Sequence, residues 1–312
     1  MASSFDVVGL GENSVDYVYR LPSFPDPRGA AAKMPISGHR VSFGGQVATT
    51  LCTCASLGRS TAYLGTFGSD ESGARIRQEL GRLGVDVTHA LVRDGANRYA
   101  VILIDERSGE RVILWHRDPR LQLRDADIDT GPMADVIERA RLLHVDAVDE
   151  DAAIRAATMA RDAGGIVTSD IDHVSPRTTE LLAAVTVPIF AEHVPARLTG
   201  EGDDERGLRA LRQAHHSMLC VTLGARGSMV LCGDRLYRAP GFAVAVVDST
   251  GAGDVFRGAF IHALLRGDGP EAILRFANAA AAISCTREGA IDGVPAQGEI
   301  AALMAHESAA DR

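Results

Sequence analysis

The stretch VVDSTGAGDVFRGAFIHALL, residues 246–265, has the layout of a short strand that enters a glycine-rich turn and leaves it as a helix. Phe256, Phe260, Ile261, Leu264 and Leu265 recur at helical spacing and predict the buried face of that helix. Gly251, Ala252 and Gly253 put no bulk over its first turn. There the backbone N–H groups have no partner inside the helix and, with the helix dipole, attract an anion. Asp254 follows at once. Taken alone, an Asp in that position complements the helix N-terminus, an effect of about 0.3–1 kcal/mol. Beside an anion-binding turn it has a second use, because it can take the proton from a neutral hydroxyl that attacks a phosphoryl group held by the turn.

Upstream of this stretch, strand-like runs alternate with amphipathic helical ones: Asp6 to Leu10, Thr61 to Thr66, Leu142 to Val145, Ile166 to Ser169, Val187 to Phe190 and Met218 to Leu223. The alternation predicts an α/β fold with a mostly parallel sheet covered by helices on both faces. A helix over Asp151 to Ala163 should stop at Gly164 and Gly165. Two segments depart from the pattern: Val15, Tyr17, Tyr19 and Leu21 alternate with polar residues, and YAVILIDERSGERVILW reads as two strands around a Ser108-Gly109 turn. Both predict a small antiparallel flap. Residues 22–32 read as a mobile loop, and no linker or repeat divides the chain, so one domain is expected over residues 1–312.

With 46% hydrophobic and 23% charged residues among 312, the chain has the composition of an ordinary globular protein. Its formal net charge of −9, with no basic block, argues against a nucleic-acid partner or a membrane surface. No apolar run has the length of a membrane span, and MASSFDVVGL lacks the layout of a secretory signal, so a cytoplasmic protein is expected. The five cysteines sit in apolar segments and read as reduced thiols. Lys33 is the sole lysine and no G-x-x-x-x-G-K-[ST] occurs, which excludes a P-loop. The Gly9-Leu10-Gly11 turn does not complete a dinucleotide fingerprint, since Ser14 stands where the third glycine is needed.

The run DSTGAGD, residues 248–254, resembles the signature D-[ST]-x-G-A-G-D of the ribokinase-like, or phosphofructokinase-B, sugar kinases. Further likenesses follow in order along nearly the whole chain. VVGLGENSVDYV is similar to the family's first strand with its sugar-binding Asp, here Asp16, and FGGQVATTLCTCASLG to its Gly-Gly segment, here Gly44 and Gly45. GTFGSDESG resembles the turn that comes next, and VTLGARGS the strand and turn that contact ATP, which implies Thr222, Gly224 and Gly227. FANAAAAISCTREGA is similar to the segment flanking adenine and a monovalent cation and implies Asn278 at the adenine wall.

The resemblance implies a three-layer α/β/α domain with a small β-sheet lid, built from segments at about 14–42 and 96–117, and a phosphotransferase that uses ATP and Mg2+ on an alcohol group of a sugar. Asp254 would be the base and Gly251, Ala252 and Gly253 the oxyanion donors. Asp16, Gln46 and Thr49 would orient the sugar; Asp248 and Thr250 with carbonyls of Ser284, Arg287 and Gly289 would hold K+. Gly293 supplies no side chain as a last cation ligand. The family's N-x-x-E is absent, with Ala191 and Val194 in its place, and Asp170 and Asp172 are candidates to replace its carboxylate near magnesium. FAEHVPARLTG, WHRDPRL and CTREGAIDGVP lean towards the ketohexokinase-like and sulfofructose-kinase-like members, hence a ketose or an acidic ketose derivative, with Arg117 meeting an anionic group. A nucleoside kinase of the same fold and a non-catalytic sugar- or nucleotide-binding regulator are the alternatives. The exposed flap strands predict a homodimer through the lid.

Overall fold

The computed structural model describes residues 5–26, 28, 33–108, 110–129 and 131–310, with the backbone alone for 307–310. Part of the expected loop at 22–32, and Gly109 of the expected turn, lie outside the described residues. In chain order the elements are β1 (Val7–Leu10), β2 (Ser14–Leu21), β3 (Gly38–Gly44), α1 (Gln46–Ser56), β4 (Thr61–Tyr63), β5 (Thr66–Gly68), α2 (Glu71–Arg82), β6 (Val85–Asp86), β7 (Leu91–Arg93), β8 (Tyr99–Asp105) and β9 (Arg111–His116). There follow α3 (Asp125–Asp129), α4 (Pro132–Arg139), β10 (Leu142–Val145), α5 (Glu150–Asp162), β11 (Ile166–Ile171), α6 (Thr178–Ala184), β12 (Val187–Phe190), α7 (Val194–Thr199), α8 (Asp204–Leu211) and β13 (Leu219–Thr222). The chain continues through β14 (Ser228–Cys232), β15 (Arg235–Ala239), α9 (Ala252–Arg266), α10 (Pro270–Ser284) and α11 (Gln297–Ala310).

The main sheet runs β15-β14-β13-β12-β11-β10-β1-β4-β6, parallel from β6 to β13 and antiparallel over its last two pairings. Strand periodicity splits its side chains between two cores. Val8, Leu10, Leu143 and Val145 pack with α4, α5, α6 and α8 on one face. Val187, Ile189 and Cys220 pack with α9 and α10, and Val7 and Leu142 with α1, on the other. The parallel strands are buried on both faces, which is why they read as unbroken apolar runs. Helix α5 ends as expected, with Gly164 at φ 87°.

Three expectations change in detail. The run Thr61 to Thr66 is two strands, because β5 leaves the main sheet to pair with β7. Residues 246–248 are not a strand: Val247 and Asp248 donate only to the Cys285 carbonyl, and Val246 is 66% exposed. Helix α9 buries every residue from Val255 to Ala263 rather than one stripe, since it lies between α1 and α10. Among the described residues, no helix is long and apolar enough to cross a membrane.

The second, four-stranded sheet has the order β3-β2-β8-β9. Its central pair, β2 and β8, is parallel, so the flap is mixed rather than wholly antiparallel. Strand β2 enters it from β1 through Gly11, whose φ is 156° and where a Cβ would stand 2.4 Å from the buried Asp146 carboxylate. Only glycine passes there.

Candidate active site

Gly251 caps α9 in the left-handed region, at φ 75°, and a Cβ on it would lie 2.5 Å from that of Ala290. The turn it makes separates two cavities. The larger, about 610 Å³, is lined by Thr222, Gly224, Gly227, Asn278, Ala252 and Gly253, among others. The smaller, about 230 Å³, lies under the four-stranded sheet and is lined by Glu12, Asp16, Gln46, Arg117, Gly251 and Asp254, with Trp115 and Gly45 beside them. Donors of the α9 first turn and the Asp254 carboxyl thus stand where the two spaces meet.

Thr222, Gly224 and Gly227, expected to contact the nucleotide, do share one wall. Gly227 has φ 93°, and a Cβ there would be 2.1 Å from the Ala239 carbonyl, so the wall closes only around glycine. Asn278 lines the same cavity, but its amide is engaged within the protein. Its Nδ2 donates to the Ala239 and Pro240 carbonyls at 3.1 and 3.0 Å, and its Oδ1 accepts from Ser228 at 2.9 Å. It ties the loop after β15 to α10, with both Nδ2 hydrogens used and one lone pair of Oδ1 left over.

On the acceptor side, Asp16 is buried and its Oδ1 accepts from Ser14 at 3.0 Å; burial lifts its carboxyl to about 6. Gly44 ends β3 beside it, where a Cβ would be 3.2 Å from Asp16 Oδ2. Gly45, at φ 100°, lets the chain pass the Asn13 backbone into α1. Gln46 lines the cavity and donates to Asp172 at 3.0 Å. Thr49 is a correction: one turn further into α1 it is fully buried, outside the residues lining the cavity, with no partner for its hydroxyl. Arg117 is present but occupied, donating from Nε and Nη2 to Glu12 Oε1 at 3.1 and 2.8 Å and stacking on Trp115.

Glu12 was not singled out from the sequence, whereas Trp115, expected with His116 and Arg117 where the lid meets the sugar, does line this cavity. Glu12 is held by Asp146, which accepts from its N–H at 2.7 Å. Burial pushes the Asp146 carboxyl up to about 8.

Beneath Asp254 lies a second surprise. Arg257, one turn on in α9, is buried and its Nη2 stands 2.5 Å from Asp170 at the end of β11. Asp170 and Asp254 are buried neighbours whose charges act on each other. Loss of hydration raises the Asp254 carboxyl well above the usual carboxylate range; the neighbouring Asp170 adds to this and Arg257 opposes it. Asp170 is raised likewise by burial, against Arg257. A Cβ at residue 253 would be 2.7 Å from Arg257 Nη1, so any side chain larger than that of glycine would press on the guanidinium.

Asp170 is therefore already paired and is not a spare carboxylate for magnesium. Asp172 is exposed, bonded to Gln46 and His173. Among the described residues no three His, Cys, Asp or Glu side chains are grouped to hold a metal ion. Magnesium fits this site as an ion carried mainly on phosphate oxygens and water.

The expected K+ residues do come together, since Asp248 Oδ2 accepts from Gly289 N–H at 3.0 Å, and a Cβ on Gly293 would be 2.8 Å from the Gly289 carbonyl and 3.2 Å from that of Ser284. Their donor set does not suit a cation, however. Arg40 and Arg111, from the small sheet, reach Asp248 at 3.2 and 3.6 Å, and Arg111 donates to Thr250 Oγ1 at 3.1 Å. Burial would raise Asp248, but hydrogen bonds from Gly289 and Thr250 and the charge of Arg40 hold it below its ordinary value. Arg287, whose carbonyl was expected to help, turns its side chain to Glu299.

A doubly covered parallel sheet, a glycine-rich helix start between a nucleotide-sized and a sugar-sized cavity, and a carboxyl at their junction define a ribokinase-like phosphotransferase. The chain belongs to the pfkB family of carbohydrate kinases: the family model matches residues 6–297, and sugar phosphoryl transfer is the family's chemistry. A fructokinase of Oryza sativa subsp. japonica is 28% identical, covering 93% of this chain and 90% of its own length. A ribokinase of Haemophilus influenzae is 27% identical, with 95% and 97% covered. The Arabidopsis thaliana ribokinase solved with ribose and ATP shares the fold, at a TM-score of 0.84 over 97% of this chain and 99% of that one, with 23% identity.

Proposed function

We propose that this kinase moves the γ-phosphoryl group of ATP to a hydroxymethyl group of a neutral 2-keto sugar, with Asp254 as the base. The observation that carries the reading is the turn at 251–254, whose helix donors and carboxyl both lie between the two cavities. ATP occupies the larger space, with its phosphates towards Gly251, Ala252 and Gly253. Magnesium screens charge between those phosphates. The sugar lies in the smaller space, where Asp16 and Gln46 accept and donate to its hydroxyls and Asp254 takes the proton of the one that attacks.

Glu12, Asp16 and Asp254 line the acceptor cavity, and the charge of Arg117 is met by Glu12. That balance disfavours an anionic acceptor and, of the ketose and the acidic ketose derivative expected from the sequence, favours the neutral ketose. The kinship with a fructokinase supports the ketose. The small sheet acts as the lid, and its outer strand β9, with Val112, Ile113 and Leu114 between 41 and 54% exposed, joins two copies in a homodimer. Use of ATP suits a cytoplasmic protein.

Measuring ADP release with D-fructose and other ketoses, ribose, adenosine and a sulfonated or carboxylated ketose tests the reading. The neutral ketose should have the highest kcat/KM. A preference for adenosine or ribose overturns the acceptor and leaves the kinase; no ADP release with any acceptor would point to a regulator.

A further inference from the structure

Resting on the kinase reading above, we infer that Arg40 and Arg111 serve as a built-in cation that orders the anion-binding turn, so that turnover needs no monovalent metal ion. The carboxylate of Asp248 is already saturated. A carboxylate offers about four lone-pair directions. Here Oδ1 accepts from Thr250 N–H at 2.9 Å and from Thr250 Oγ1 at 2.7 Å, while Oδ2 accepts from Gly289 N–H at 3.0 Å and from Arg40 Nη2 at 3.2 Å. All four are used. The carbonyls that would complete a metal cage are partly used too: that of Ser284 accepts from Arg287 N–H at 3.1 Å and that of Gly289 from Gly293 N–H at 3.2 Å. Residue 293 has no side chain to contribute.

Charge leads to the same place. Arg40 also lies 3.6 Å from Glu288, to which Arg20 is paired as well. A metal ion at Asp248 would therefore sit against two guanidinium groups whose counter-charges are already matched. An arginine differs from a metal in being tethered, and the tethers are informative. Arg40 is on β3 and Arg111 on β9, the two outer strands of the small sheet. They grip the 248–250 segment from both edges, immediately before the turn that carries Gly251 and Asp254. The seat of the small sheet and the order of the turn are then one equilibrium.

The test compares KCl with tetramethylammonium chloride at equal ionic strength, reading both the thermal midpoint of the protein without nucleotide and the turnover of the best acceptor. The wild type should show the same midpoint and rates within about twofold in the two salts. Arg40→Ala/Arg111→Ala should lose on the order of 10–100-fold in turnover in tetramethylammonium. Potassium should restore part of that loss, as Asp248 regains free acceptor capacity, and Arg40→Lys should keep most of the wild-type rate. A midpoint raised by KCl in the wild type, or activation several-fold by potassium, would overturn the inference. So would full activity of the double variant in tetramethylammonium, or a loss that neither potassium nor lysine repairs. If no acceptor is phosphorylated, the kinase reading fails on its own, while the midpoints still report whether the site takes a cation.

Discussion

Asp254, the proposed base, stands out among its neighbours in sequence because that chemistry would need a carboxyl directly after an unobstructed helix start. Replacing it by Asn keeps the shape and removes the proposed base, so turnover should fall on the order of 10²–10⁴-fold with ATP affinity nearly unchanged. A single-turnover assay with a nucleotide titration separates the two. Since burial and Asp170 raise the Asp254 carboxyl, protonation removes the base at a higher pH than for an ordinary Asp. The kcat/KM profile should therefore fall as pH drops through an apparent value above the usual ~3.9, one that belongs to the Asp170–Asp254 pair rather than to either residue. Arg257 lowers both, so Arg257→Met should move that limb to higher pH. It should also destabilise the fold by about 3–5 kcal/mol, because it leaves Asp170 buried without its counter-charge. Denaturant unfolding reads the loss, and adding Asp170→Asn should recover part of it. Sequence reading passed over Arg257, since an arginine in a helix is usually a surface residue. The available signal was its spacing from Gly253, four residues back, where one turn of helix brings a long side chain under a residue without a Cβ.

The parallel strands were legible as elements, because a strand buried on both faces must be apolar throughout, and their ends fell within a residue or two of expectation. Legibility failed where pairing rather than composition decides. Nothing in Thr61 to Thr66 says that the chain changes sheets, and Val246-Val247 has strand composition but no neighbour to pair with. Thr49 failed for a related reason: in a helix that starts at Gln46, the face a residue presents depends on where the first turn begins. The glycine walls of the nucleotide cavity give a sharper test. Gly227→Ala puts a Cβ into a backbone carbonyl at a positive φ. A strain of roughly 1–3 kcal/mol would weaken ATP binding by about 5- to 150-fold if it is relieved by opening that wall. Nucleotide titration calorimetry should show this with the sugar affinity unchanged.

For the molecule as a whole, the homodimer proposed through β9 predicts a particle of twice the chain mass at micromolar concentration, and Leu114→Arg should reduce it to the monomer in light scattering. What the sequence could not show was how its distant parts are shared out. The acceptor cavity is lined mainly by residues 12–117, and the nucleotide cavity by residues 222–285, with the stretch 249–254 contributing to both. The two halves of the reaction are thus written in opposite thirds of the gene, like separate clauses joined at one word. Acceptor preference can drift by mutation in the first third while the nucleotide clause stays intact, so a chimera that exchanges the segment before residue 118 with a relative should inherit the donor's sugar and keep its own grip on ATP.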